Sequence, residues 1–285
     1  MRMTHHAYGR PAIPSVTGDW PMEPAALRLG MPHLNAQGLC PGWLLRECAH
    51  LHWQAVARIG PGRPTELRDE TGVRCFASIV SAVIDGPLAA FGEDMTVMLH
   101  TDEPPSAQNG WRSTARLVSG DAAVRVELVS AFARRAGTSN RKLEGAAMPP
   151  GMRPPRGVDL PARSRVLRAR SRSFAIAAPD GVPPVASAPV TAAVDLNGVG
   201  LLYFANFLRF IAMGEEAVLA GPWTLPDVTR REVHWYGNAD AGDTLDMTAE
   251  PVVSRTNPSP EVNCFSTVRR RSDGVLIAAC ETRWG

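Results

Sequence analysis

The chain has 285 residues, a formal net charge of +2 and an apolar fraction of 45%. That length allows one large or two ordinary domains, and that composition supports a packed core rather than a disordered chain. Lys142 is the only lysine, and the arginines are spread along the chain with no basic stripe among aromatics, so nucleic acid is not an expected partner.

The opening "MRMTHHAYGRPAIPSVTGDW" contains no apolar run of the secretory kind, and His5 and His6 read as a polar tail. Cys40, Cys48, Cys75, Cys264 and Cys280 are scattered and form no CxxC pair. A disulfide framework and a zinc site are therefore not expected, and a reducing cytoplasm fits best. No metal and no cofactor are expected.

The first patterned segment is "LNAQGL" at 34–39, followed by the helical "GWLLRECAHLHWQAV". Strand-like runs follow in "GVRCFASIVSAVI", "MTVMLHT" and "STARLVSGDAAVRVELVSAFARR" from Ser113. The segment "EGAAMPPGMRPPRGVDLPARSRVLRAR" is rich in Pro and Arg without apolar periodicity, and reads as a surface linker.

Next come the β-rich "PVTAAV" and "DLNGVGLLYFANFLRFIAMGEE", 195–216, the most apolar stretch of the chain. A membrane-spanning helix needs ~20 largely uncharged residues. Asn206 and Arg209 interrupt the run first, so no membrane partner is expected. Phe204, Phe207, Leu208 and Ile211 share one helical face, which predicts a buried helix. In "REVHWYGNADAGDTLDMTAEPVV", Val233 and Trp235 alternate with His234 and Tyr236, the mark of a two-faced strand. A hairpin turning on Ser272-Asp273-Gly274 closes the chain.

Two motifs occur twice, in the same order and at similar spacing. "LNAQGL" matches "LNGVGL" at 196–201, and the S-T-x-R at Ser113 matches "STVRRRSDGVLIAACETRW" from Ser266. Such a repeat indicates a duplicated domain. The expected class is α+β: two units in one chain, each a helix wrapped by an antiparallel sheet, packed as a pseudo-dimer. The units are placed at 1–145 and 171–285, with 146–170 as the linker.

Asp195, Asn197, Gly198 and Gly200 stand where the apolar helix is expected to begin. Asn and Asp accept hydrogen bonds from free helix-start N–H groups, and glycine lets a ligand approach the backbone. This arrangement is a seat for an anion or oxyanion. Asn197 either caps the helix alone or also contacts substrate, as a donor that cannot act as base or nucleophile. His33 and Asn35 occupy the matching turn of the first copy, where a structural hydrogen-bonding role competes with reach into a shared site. Trp43 and Trp53 read first as core residues, with Trp43 also a candidate wall for substrate.

"DLNGVGLLYFANFLRF" resembles the helix-start motif of hotdog-fold thioesterases of the 4-hydroxybenzoyl-CoA type, with Asp195, Gly200, Tyr203, Ala205, Asn206, Leu208 and Arg209 in matching positions. The family's catalytic acid falls on Asn197. The whole chain is similar to the double-hotdog acyltransferase/decarboxylase family of polyketide biosynthesis, of the leinamycin type. That likeness is carried by "LRLGMPHLNAQGLCPGWLLRECAHLHW", "GTSNRKLEG", "DLNGVGLLYFANF" and "SDGVLIAACETRW". The resemblance implies a double hotdog acting on CoA or phosphopantetheine thioesters as substrates. It implies decarboxylation or transfer of a malonyl-type acyl group from acyl-CoA to an acyl carrier protein. It also places Phe76 where the family's acyl-accepting tyrosine is expected, which implies altered or absent transfer, and adds Tyr203 and Asp195 to the substrate wall. The alternatives are a thioesterase, a dehydratase, or an acyl-carrier-binding module without chemistry. A homodimer is compatible with all of them.

Overall fold

A computed structural model describes residues 25–60, 63–107, 111–152, 160–219, 227–254 and 261–285. His5 and His6 lie outside these residues. The first half consists of β1 (Ala25–Arg28), the short pair β2 (Leu34–Asn35) and β3 (Gly38–Leu39), and helix α1 (Pro41–Ile59). It continues with β4 (Cys75–Asp85), β5 (Thr96–Ala107), β6 (Trp111–Ser119), β7 (Ala122–Arg135) and β8 (Leu143–Gly145). Helix α2 (Leu160–Ala177) leads into the second half. There β9 (Ala186–Pro189), the single turn α3 (Ala192–Asp195) and α4 (Phe207–Val218) precede β10 (Val228–Trp235), β11 (Thr244–Ser254), β12 (Glu261–Arg270) and β13 (Leu276–Trp284).

The long strands form one antiparallel sheet in the order β1-β5-β6-β7-β4-β10-β13-β12-β11-β9. From the β4/β10 seam outward, both halves run through the same sequence of strands: first after the helix, fourth, third, second, and a strand before the helix at the edge; β8 adds to β7 in the first half. The seam pairs Val83 with Glu232 and Ala82 with Val233. The duplicated units are thus fused through a continuous hydrogen-bond ladder.

Each helix packs on its own part of the sheet because it carries an apolar stripe. Phe204, Phe207, Leu208 and Ile211 are all buried as their spacing predicts, joined by Phe210. Burial of one such side chain contributes about 1.5–3 kcal/mol. Gly214 lets α4 lie close to β11, since a Cβ there would stand 3.1 Å from the Met247 Cβ.

Two expectations need correction. The stretch 160–170, expected as part of a linker running over the surface, forms the first part of α2, which packs on the outer face of β10. Phe174 lies 4.6 Å from the His234 ring and 5.6 Å from Phe265, and the Tyr236 hydroxyl donates to the Ser171 carbonyl at 2.8 Å. Val233 and Trp235 do face the core, yet the opposite face, with Glu232 and His234, is buried as well. Periodicity could not reveal this helix because arginines interrupt its apolar positions. The second correction concerns "PVTAAV". It is not a strand: β9 ends at Pro189, and Ala192–Asp195 forms a helical turn.

Buried polar clusters tie helix to sheet in both halves. In the first, His52 on α1 lies 2.8 Å from both Ser113 and Ser130, and burial pulls its pKa down to about 4. In the second, Glu215 on α4 accepts from Arg231 at 2.6 Å and Thr282 at 2.5 Å, with Ser266 as a further donor. The repeated S-T-x-R serines are therefore internal anchors. All five cysteines are free. Among the described residues, no helix is long and apolar enough to cross a membrane, and no group of His, Cys, Asp and Glu is arranged to hold a metal.

Candidate active site

A cavity of about 700 Å³ lies between the halves. One wall is α1, through His50, Trp53, Gln54 and Ala57, which recur at i, i+3, i+4 and i+7. The facing wall is the loop of the other half, through Asn197, Gly198, Val199 and Tyr203. Phe76, Ile79, Phe132, Phe204, Phe207 and Trp235 make the interior largely apolar. Trp53 is fixed by its indole N–H donating to the Ala77 carbonyl at 2.9 Å, and meets Phe204 edge-on at 5.9 Å.

The 196–201 turn is built around Asn197. Its Oδ1 accepts the N–H groups of Val199 and Leu201 at 3.1 and 3.0 Å, and its carbonyl accepts that of Gly200 at 2.8 Å. Two donors on one amide oxygen settle the orientation of the carboxamide, leaving Nδ2 as a donor. Gly200 has φ 76°, a left-handed conformation that suits glycine. Its N–H is consumed within the turn, so it cannot serve an oxyanion. The exposed Gly198 N–H has no acceptor among the described residues.

The expected helix start is displaced. Phe204–Asn206 forms a 3-10 turn and α4 begins at Phe207, so Asn197 caps a tight turn rather than a helix. Asp195 supports that entry and does not line the cavity. It is buried and accepts from Arg209 at 2.7 and 2.6 Å and from the Thr191 N–H at 2.7 Å. Burial alone would raise its pKa, but the Arg209 and Thr191 hydrogen bonds outweigh this and hold it below the usual carboxylate range.

Of the nine residues singled out from sequence, the fold brings Asn197, Gly198, Tyr203 and Phe76 to the cavity. Tyr203 is a neutral phenol there, its pKa pushed up by burial to about 12. His33, Asn35 and Trp43 are elsewhere: His33 Nδ1 accepts the Gly30 N–H at 2.8 Å and its ring lies 4.8 Å from Trp43. Asn35 Oδ1 accepts the Gln37 N–H at 2.9 Å. The first turn does not border this cavity, because its Gly38 packs against the Leu88 and Ala89 backbone.

Several residues that hold the site were not singled out from sequence. Arg135 donates to the Val199 carbonyl at 2.6 Å, and Asn140 to the Gly200 carbonyl at 2.6 Å, so the first half grips the turn of the second. Ser139 and the Asn140 N–H both bind Asp240, at 2.6 and 2.7 Å, and Arg141 pairs with Asp243. Asn238 fastens the other side through the Leu202 N–H and carbonyl at 2.9 and 3.0 Å. The segment "GTSNRKLEG" contains much of this clamp, but only the fold shows what it grips.

Two helix-wrapped sheets fused through their seam, with a cavity crossing between them, define a double hotdog. No protein-family model and no curated protein matches the sequence. Solved structures do match. A 12:0-ACP thioesterase from Umbellularia californica aligns at 10% identity and a TM-score of 0.60, covering 92% of this chain and 93% of its own. An acyl-ACP thioesterase from Bacteroides thetaiotaomicron aligns at 12% identity and a TM-score of 0.56, covering 92% and 97%. At such identities the likeness establishes the fold.

Proposed function

We propose that this chain is a thioesterase acting on acyl groups carried by CoA or by the phosphopantetheine arm of an acyl carrier protein. The observation that carries this reading is the apolar cavity between the halves, with the Asn197 turn set in its wall. Its size and few polar groups suit an acyl chain. Asn197 Nδ2 and the Gly198 N–H engage the thioester oxygen, which gains negative charge as water attacks; preorganised donors there lower the barrier. As general base we assign His50, an exposed imidazole on the cavity wall whose Nε2 lies 2.7 Å from the Gln54 amide nitrogen; it takes the proton from water and returns it to the departing thiolate. The thioesterases that share this fold support hydrolysis over transfer.

A second reading rests on the turn itself, where Asn197, Gly198 and Val199 supply no carboxylate. Loss of CO₂ from a malonyl-type thioester leaves an enolate and needs no base, so the same donors would suffice for decarboxylation. A panel of acyl-CoAs and malonyl-type CoAs, followed for thiol release and for CO₂, separates the two. Thiol release from apolar acyl-CoAs is expected. CO₂ without thiol selects decarboxylation, and tight binding with neither product selects an acyl-carrier-binding module.

A further inference from the structure

Phe76 carries an unusual charge arrangement. The guanidinium carbons of Arg74 and Arg135 each lie 5.4 Å from the centroid of its ring. Both arginines spend their hydrogen bonds on neutral oxygens: Arg74 on the Thr65 carbonyl at 2.9 Å, Arg135 on Asn140 Oδ1 at 2.7 Å and the Val199 carbonyl at 2.6 Å. Among the described residues neither has a carboxylate partner within ion-pair distance, whereas the part-buried Arg112, Arg134 and Arg230 have Glu127, Asp69 and Glu232.

Two of the nearby carboxylates have other partners. Asp240 attracts Arg135 but is bonded to Ser139 and Asn140. Glu144, on the rim, faces Arg134 at 3.7 Å. Glu66 borders a shallow depression with Arg68 and Arg74, and Thr65 lines both that depression and the main cavity. Burial and the charge of Arg74 together pull the Arg135 pKa down, as expected of like charges held close. Two like charges flank one ring that lines the cavity, and an anion held between them would relieve their mutual repulsion.

We propose that Arg74 and Arg135 form a subsite for an oxyanion carried by the thioester substrate, beside the Phe76 ring that lines the cavity. This rests on the acyl-thioester reading of the cavity. The oxyanion is either the phosphate of the pantetheine arm or a carboxylate on the acyl group, which a guanidinium pair recognises by the same forked hydrogen bonding.

Two probe pairs test the subsite and identify the source: 4′-phosphopantetheine against pantetheine, and the glutaryl against the pentanoyl thioester of N-acetylcysteamine. Binding is measured by calorimetry for the wild-type chain and for Arg74→Gln, whose side chain is exposed and bonded only to backbone. The charged member of one pair is expected to bind about tenfold more tightly, as one charge-assisted contact allows. Arg74→Gln should abolish that preference and leave the neutral member's affinity unchanged, while added salt should weaken it. Equal binding within both pairs, a preference that survives Arg74→Gln, or equal weakening of both members by that change overturns the subsite and leaves the cavity reading standing. Failure of all four probes to bind overturns both.

Discussion

The two repeated turns follow nearly the same path and meet different surroundings. Leu34 pairs with Leu39 in one and Leu196 with Leu202 in the other, each turn closed by an Asn side chain and a left-handed glycine, Gly38 at φ 101° and Gly200 at φ 76°. The first turn is packed shut, since a Cβ on Gly38 would stand 2.5 Å from the Leu88 carbonyl oxygen. The second borders the cavity and is held by Arg135 and Asn140 of the opposite half. Duplication preserved the chain path, and the neighbours decided which copy keeps an open site.

The same contrast runs through the buried polar ties. The first half joins helix to sheet with a neutral His52 between two serines, and the second with a buried ion pair, Glu215 with Arg231. The largest expected effect comes from breaking the charged tie. Arg231→Met leaves Glu215 buried without its cation and should cost about 3–5 kcal/mol, read from the denaturant midpoint. A loss no greater than that of Ser113→Ala would erase the distinction between the halves.

At the turns, Asn197→Ala should lower the thioester rate by about 10²–10³, whereas Asn35→Ala should leave it unchanged. Because Asn197→Ala also loosens the turn, its unfolding midpoint is measured beside its rate, and Asn197→Asp separates two effects. It keeps the acceptor and removes the donor, so a fall in rate marks the donor, whereas a rise marks a carboxylate acting as the acid of the resembling thioesterases. Equal losses at 35 and 197, measured with one acyl-CoA, would mean that both turns act.

The neutral tie predicts acid sensitivity. His52 titrates near 4 in the folded chain against an ordinary 6.5, so unfolding takes up a proton between those values. Its contribution is complete above pH 6.5 and lost as pH falls toward 4, roughly 3 kcal/mol over the interval. Unfolding midpoints across that range should slope accordingly, and His52→Gln should flatten the slope. The smallest effect is Ser113→Ala, which leaves one His52 nitrogen without a partner and should cost about 1–3 kcal/mol.

Much of the fold was legible in the chain itself. The i, i+3, i+4, i+7 stripe from Phe204 to Ile211 determined a buried helix, because a helix with one apolar face must cover it. The paired L-N-x-x-G-L and S-T-x-R motifs determined a duplicated unit, because like segments in like order fold alike. Asn197 and Gly198 stood out because their residue types suit a turn that offers donors. The tertiary structure supplied the reason that one turn borders a cavity and the other does not, since Leu88 and Arg135 are distant in sequence from the turns they close or clamp. It also moved Asp195 from site to support by supplying Arg209, and made His50 and Trp53 part of the wall by setting α1 against the other half. Helix α2 stayed hidden because one aromatic, Phe174, anchors it amid arginines. Local pattern reports what each segment must bury; which segments meet is set by long-range packing.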